Sequence, residues 1–150
     1  MIYFRNSTKK SGVDANTLKR TAHTLLEKLN EPRATLSVSL VSDAKIRRLN
    51  RLYRAKDSST DVLSFPLMEQ NQHPERERLL GDIIISVDTA RRQANAYSAT
   101  LQNEVHRLLI HGILHVLGHD HQRKGDRARM EAEERRLAEA IAMPWPYGES

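Results

Sequence analysis

Apolar positions recur with two different periods along this chain of 150 residues, and the two periods divide it into helices and strands. Leu18, Ala22, Leu25, Leu26 and Leu29 return at helical spacing, which predicts a helix from Asp14 to about Asn30, with Asp14 as N-cap and Pro32 as its stop. Residues 35–41 alternate instead, with Leu36, Val38 and Leu40 apolar, the period of a half-buried strand. A second helix is expected from Ser42 or Asp43, with Ile46, Leu49 and Tyr53 on its packing face and Arg47, Arg51 and Arg54 on another. Ile2 to Phe4 is a short β-prone opening, and residues 57–66 read as a loop entering a short strand. Residues 67–80 are polar around Pro74 and read as a mobile hairpin or surface loop. Gly81 to Val87 is the most apolar strand candidate; Asp88 is expected to cap a helix through Ser98, and Thr100 to open another that runs to Gly118. A last helix is expected from Asp126 to Ala142. Strands and helices mix without strict alternation, so the expected class is α+β, a mixed β-sheet packed with helices in one domain over residues 1–150.

Composition narrows the chemistry. With no cysteine, disulfide frameworks, thiolate zinc fingers and cysteine nucleophiles are excluded. No apolar run approaches the ~20 residues a membrane-spanning helix needs, and MIYFRNSTKK lacks the apolar segment of a signal peptide, so a soluble cytoplasmic protein without a membrane partner is the expectation. The net charge is 24 − 19 = +5. Lys45, Arg47, Arg48, Arg51, Arg54 and Lys56 form an acid-free run of six cations, and the remainder holds 24 − 6 = 18 basic against 19 acidic residues. The excess charge is therefore local, as befits an anionic partner met at one place.

Five of the seven histidines fall between positions 106 and 121, in HRLLIHGILHVLGHDH. His111 and His115 are four apart, so on a helix their imidazoles lie about 40° apart round the axis and can share one metal ion. Gly118 can take the left-handed conformation that ends the helix and returns His121 to the other two. Three neutral nitrogens on Zn²⁺ leave a fourth position open, the arrangement of catalytic rather than structural zinc. His106, five residues before His111, points off the ligand face and is assigned a packing or surface role, while His119 is a turn residue or a hydrogen-bonding group of the cleft. Asp120 is either a carboxylate supporting a ligand or a solvated turn residue. The spacing matches the metzincin string H-E-x-x-H-x-x-G-x-x-H, a three-histidine zinc helix and glycine turn. However, Gly112 stands where a protease carries its glutamate general base, which argues against peptide hydrolysis. A glutamate at 112 would, on this reading, lie one residue from a ligand and within reach of the metal's water.

The segment HGILHVLGHDH resembles the motif H-G-x-L-H-L-x-G-x-D-H of the YbeY family of bacterial metal-dependent endoribonucleases, with Val116 its one departure. Tyr53-Arg54 followed by Asp57, then TDVLSFP at 60–66, GDIIIS at 81–86, and Met130 and Glu134 agree in the family's order, while Ser58 replaces the family's usual Pro. The resemblance implies that His111, His115 and His121 bind one zinc per chain and that Arg54 is the functional arginine near the metal. The implied substrate is single-stranded ribosomal RNA, cut in maturation of the small-subunit 3′ end and in ribosome quality control, with the ribosome or its small subunit as partner. A guanidinium suits that substrate, since its planar fork matches phosphate oxygens and stays charged. His111 and Asp120 join Arg54 as catalytic candidates, and whether metal hydroxide or Asp120 takes the nucleophile's proton stays open. Two alternatives stand beside this reading: an assembly factor with a structural metal, and a zinc hydrolase of another substrate.

Overall fold

The computed structural model describes residues 1–67, 78–118 and 124–148. In order, it shows β1 (Ile2–Asn6), α1 (Ala15–Lys28), β2 (Ala34–Val41), α2 (Asp43–Arg54), β3 (Val62–Pro66), β4 (Arg78–Ser86), α3 (Val87–Ala96), α4 (Leu101–Val116) and α5 (Lys124–Ala140). The strands form one sheet in the order β1-β2-β4-β3; β1 and β4 run parallel to β2, and β3 runs antiparallel to β4. The mixed α+β expectation is therefore met.

Alternation along the strands sorts side chains between two apolar clusters. Leu36, Val38, Leu40, Ile83 and Ile85 pack with Leu18, Leu25 and Leu26 of α1 and with Leu108, Leu109, Ile110 and Ile113 of α4. A smaller cluster gathers Val41, Ile46 and Leu63, with Leu49, Phe65 and Ile84 packed against it, and so seats α2. The caps follow side-chain chemistry: Asp14, Ser42 and Thr100 each accept a hydrogen bond from the backbone N–H three residues on.

The structure departs from the sequence-based expectations at three places. β4 begins at Arg78, because residues 78 and 79 already pair with Ala34 and Thr35, so the segment ending at 80 is not all loop. Pro74 lies outside the described residues. α3 is capped by Ser86, whose hydroxyl accepts from the Thr89 N–H, and not by Asp88. The Asp88 carboxylate instead accepts from the Asp43 N–H at 2.9 Å, filling an open donor of α2's first turn. Asp43 answers by accepting from the hydroxyls of Ser86 and Thr89, both at 2.6 Å, so the two helix starts are tied together. Finally, Tyr53 is not on the packing face of α2; it is 62% exposed, and Asn50 is buried there instead.

Gly81 has a steric reason to be glycine. A Cβ at this position would stand 2.3 Å from the Phe65 carbonyl oxygen across the β3–β4 pair.

Candidate functional site

A cleft of about 490 Å³ opens between the C-terminal end of α2, the segment from Lys56 into β3, and α4, with Arg54, Asp61, His111 and His115 in its lining. α4 brings the two histidines there because its opposite face is committed to the core. Leu109, Ile110, Ile113 and Leu114 are fully buried, which leaves His111 and His115, one turn apart, half-buried at the cleft. Their rings lie 6.0 Å apart between centroids and within 19° of parallel. α4 ends at Val116, and Gly118 takes φ +100°, the left-handed turn expected of it.

Glu134 of α5 completes this wall. Its largely buried carboxylate meets the His111 Nδ1 at 2.5 Å. With Nδ1 held by an acceptor, the tautomer carries its lone pair on Nε2, the arrangement of a metal-ligating imidazole supported from behind. Two near-parallel imidazoles at helical spacing, one backed by a carboxylate, fit a borderline metal such as zinc. Among the described residues no group of three His, Asp or Glu side chains gathers to hold a metal; the third expected ligand, His121, lies outside them. His119 and Asp120 also lie outside the described residues.

The facing wall is fixed by the loop after α2. Buried Asn50 donates through its side-chain amide to the Ser58 carbonyl at 2.9 Å, and the Ser86 N–H donates to the Asp61 carbonyl at 2.9 Å, so the loop is anchored at both ends. Arg54 donates to the Ser64 carbonyl at 2.7 Å, and its guanidinium carbon lies 5.1 Å from the Phe65 ring centroid. A guanidinium has five N–H donors, so one bond to Ser64 sets its position without exhausting its capacity. Arg47 is engaged elsewhere, in a two-bond pair with Asp57 at 2.9 and 3.2 Å that holds the Asp57 carboxyl below its usual range.

Two residues of α4 explain why only part of its histidine-rich sequence faces the cleft. His106 is buried and bonds through Nε2 to the Gln102 amide at 2.9 Å; burial pushes its pKa down to about 4, so it is a neutral packing group, as expected from its spacing. Gly112 faces the sheet: a Cβ there would lie 2.9 Å from the Ile83 Cγ2. A glutamate at 112 would run into Ile83 and not reach toward the cleft, which corrects the expectation drawn from the protease string. One turn before His111, burial opposes the charge of Arg107, yet the fully buried Glu104 carboxylate at 2.6 and 2.8 Å holds its pKa above the ordinary value.

Sequence reasoning offered Asp120 as either a supporting carboxylate or a solvated turn residue and gave Glu134 no such role, although Glu134 agrees with the family pattern in the last helix. It also passed over Asn50, a polar residue on an otherwise apolar helix face, and Asp61 as a cleft carboxylate.

The fold and cleft define an α+β protein with a histidine-bearing wall facing an anchored arginine. Residues 3–142 match the family described as Endoribonuclease YbeY, and the chain belongs to that family. It is 50% identical over 123 residues to an Endoribonuclease YbeY of Myxococcus xanthus and 46% identical over 126 residues to one of Anaeromyxobacter sp., spanning 82% and 84% of this chain. The matches span only 42% and 64% of those two proteins, less than two thirds of either. A shorter relative from Syntrophotalea carbinolica is 40% identical over 91% of this chain and 93% of its own length. Among solved structures, the solution structure of TM1509 from Thermotoga maritima superposes with a TM-score of 0.62 at 26% identity, over 100% of this chain and 97% of that one.

Proposed function

We propose that this protein is a zinc-dependent endoribonuclease that cuts single-stranded ribosomal RNA, in maturation of the small-subunit 3′ end and in ribosome quality control. The observation that carries the reading is one cleft holding His111, with Glu134 behind it, and His115 opposite an anchored Arg54. His111, His115 and His121 would hold one zinc ion, which supplies a Lewis acid for a phosphoryl oxygen. Glu134 fixes the His111 tautomer and ring plane, so the lone pair is on Nε2 before substrate arrives. Arg54 presents N–H donors to a backbone phosphate and neutralises charge that grows on its oxygens as the phosphorane forms. Asp120 is one candidate acceptor of the nucleophile's proton, with the RNA 2′-hydroxyl or a water as nucleophile.

The excess of cations between Lys45 and Lys56 supports RNA, with the ribosome or its small subunit as partner. A cytoplasmic location goes with a ribosomal substrate, and no described helix is long and apolar enough to cross a membrane. The half-buried histidines stand outside the apolar clusters, which favours a chemical over a structural metal. The test is incubation of metal-loaded and chelated protein with single-stranded and hairpin RNAs. Cleavage confined to the loaded protein and to unpaired RNA is expected. Intact RNA in every lane, with a chelated protein that unfolds, would point to an assembly factor with a structural metal.

A further inference from the structure

We propose that Tyr53, braced by Phe65, is the platform on which an unpaired RNA base beside the scissile phosphate stacks. The inference rests on the endoribonuclease reading and identifies what would select single strands. Helical spacing assigns Tyr53 to the packing face of α2, yet its ring stands in solvent at 62% exposure. It is not loose there. The Tyr53 and Phe65 rings meet edge to face, 5.5 Å between centroids at 66°, and Phe65 is seated in the cluster beneath α2. Phe65 also takes the Arg54 guanidinium at 5.1 Å, so Tyr53, Phe65 and Arg54 form one continuous set of flat groups. Arg54 lines the cleft that holds His111 and His115, so the set reaches the cleft through Arg54.

Single exposed apolar side chains are common and need no explanation. Tyr53 differs because a rigid aromatic, itself covered by a cleft arginine, supports it, and because the surroundings specify the occupant. It lies within the acid-free run from Lys45 to Lys56, where an anionic chain is drawn in, and its neighbour Arg54 offers phosphate donors. A phosphate on Arg54 brings the base of an adjoining nucleotide to the Tyr53 ring. In a duplex that base already has neighbours on both faces, whereas an unpaired base can give one face to the tyrosine.

The experiment uses zinc-loaded full-length protein and RNA oligonucleotides carrying 2-aminopurine or an abasic site next to the cleaved bond. Tyr53→Ala should raise KM on the unpaired RNA about 5- to 150-fold, the usual cost of one base–aromatic stack, with a much smaller change in kcat. Tyr53→Phe keeps the ring and should keep the wild-type KM. Tyr3→Ala, which removes a comparably exposed tyrosine from β1 at the other edge of the sheet, should change nothing. On the abasic oligonucleotide the wild type and Tyr53→Ala should converge, and titration of the 2-aminopurine RNA should show fluorescence quenched by wild type and not by Tyr53→Ala. An unchanged KM in Tyr53→Ala, an equal loss in Tyr53→Phe, or an undiminished difference on the abasic RNA would each overturn the platform. A wild type that cuts no RNA would sink the endoribonuclease reading, while the quenching titration would still decide whether Tyr53 stacks on a base.

Discussion

The two halves of α4 put the same residue type to opposite uses. In the N-terminal half His106 is buried, tied to Gln102 and kept neutral by burial, which lowers its pKa to about 4. One and a half turns on, His111 is half-buried, backed by the Glu134 carboxylate and turned to the cleft with His115. The difference is set by what the helix packs against. Gly112 sits against Ile83, and the fully buried Leu109, Ile110 and Ile113 lie on the same side of the helix as His106, which leaves His111 and His115 on the open side. A histidine's role here follows from its place on the helix and from its partner, and from nothing in the imidazole itself.

The sharpest break in that comparison is expected from across the cleft. Arg54→Glu removes a donor aimed at developing phosphate charge and adds a repelling carboxylate, so RNA cleavage should fall about 10²–10³-fold or more. Stability in urea should change far less, because Arg54 is exposed. Wild-type rates in single-turnover assays would remove Arg54 from the mechanism.

His106 should show its effect in stability. The unfolded imidazole binds a proton below its ordinary 6.5 and the folded one only below about 4, so between these values the unfolded state takes up more protons. Stability from this group is therefore full near neutral pH and is lost as pH falls toward 4. The loss at about pH 4.5 should be roughly 2–3 kcal/mol. Urea unfolding of wild type and His106→Gln across that range should give curves that converge as pH drops; parallel curves would contradict the assignment.

Glu134→Gln keeps the shape of the wall but removes the charge behind His111, and metal affinity or activity should weaken about 10–100-fold in competition titrations. The smallest effect is expected at Gly112. Gly112→Ala forces a methyl to 2.9 Å from Ile83, an overpacking cost of about 1–3 kcal/mol, of which better helix propensity returns up to about 1. Thermal unfolding should register the net loss.

Most of the fold was legible because it rests on local periodicity. The strand over residues 35–41, the caps at Asp14, Ser42 and Thr100, and the glycine turn at Gly118 depend on residues close in sequence, and all of them are present. What escaped depends on pairs distant in the chain. Glu134 meets His111 across 23 positions, and Asp88 is drawn from capping α3 by a donor 45 positions away. Tyr53 followed the apolar period of α2, but buried Asn50 holds the loop at Ser58, and that tie occupies the inner face at the end of the helix. His111 and His115 could be read because helical geometry alone brings them together, whereas Arg54 needed β3 to place it.

The central claim is that the cleft-facing histidines, and not the buried one, hold a metal. Zinc per chain, measured by elemental analysis on wild type, His106→Gln and His111→Ala purified side by side, tests it most directly. The account predicts one zinc in the first two and a large loss in His111→Ala. Equal zinc in all three proteins, or none in the wild type after exposure to zinc, would contradict it.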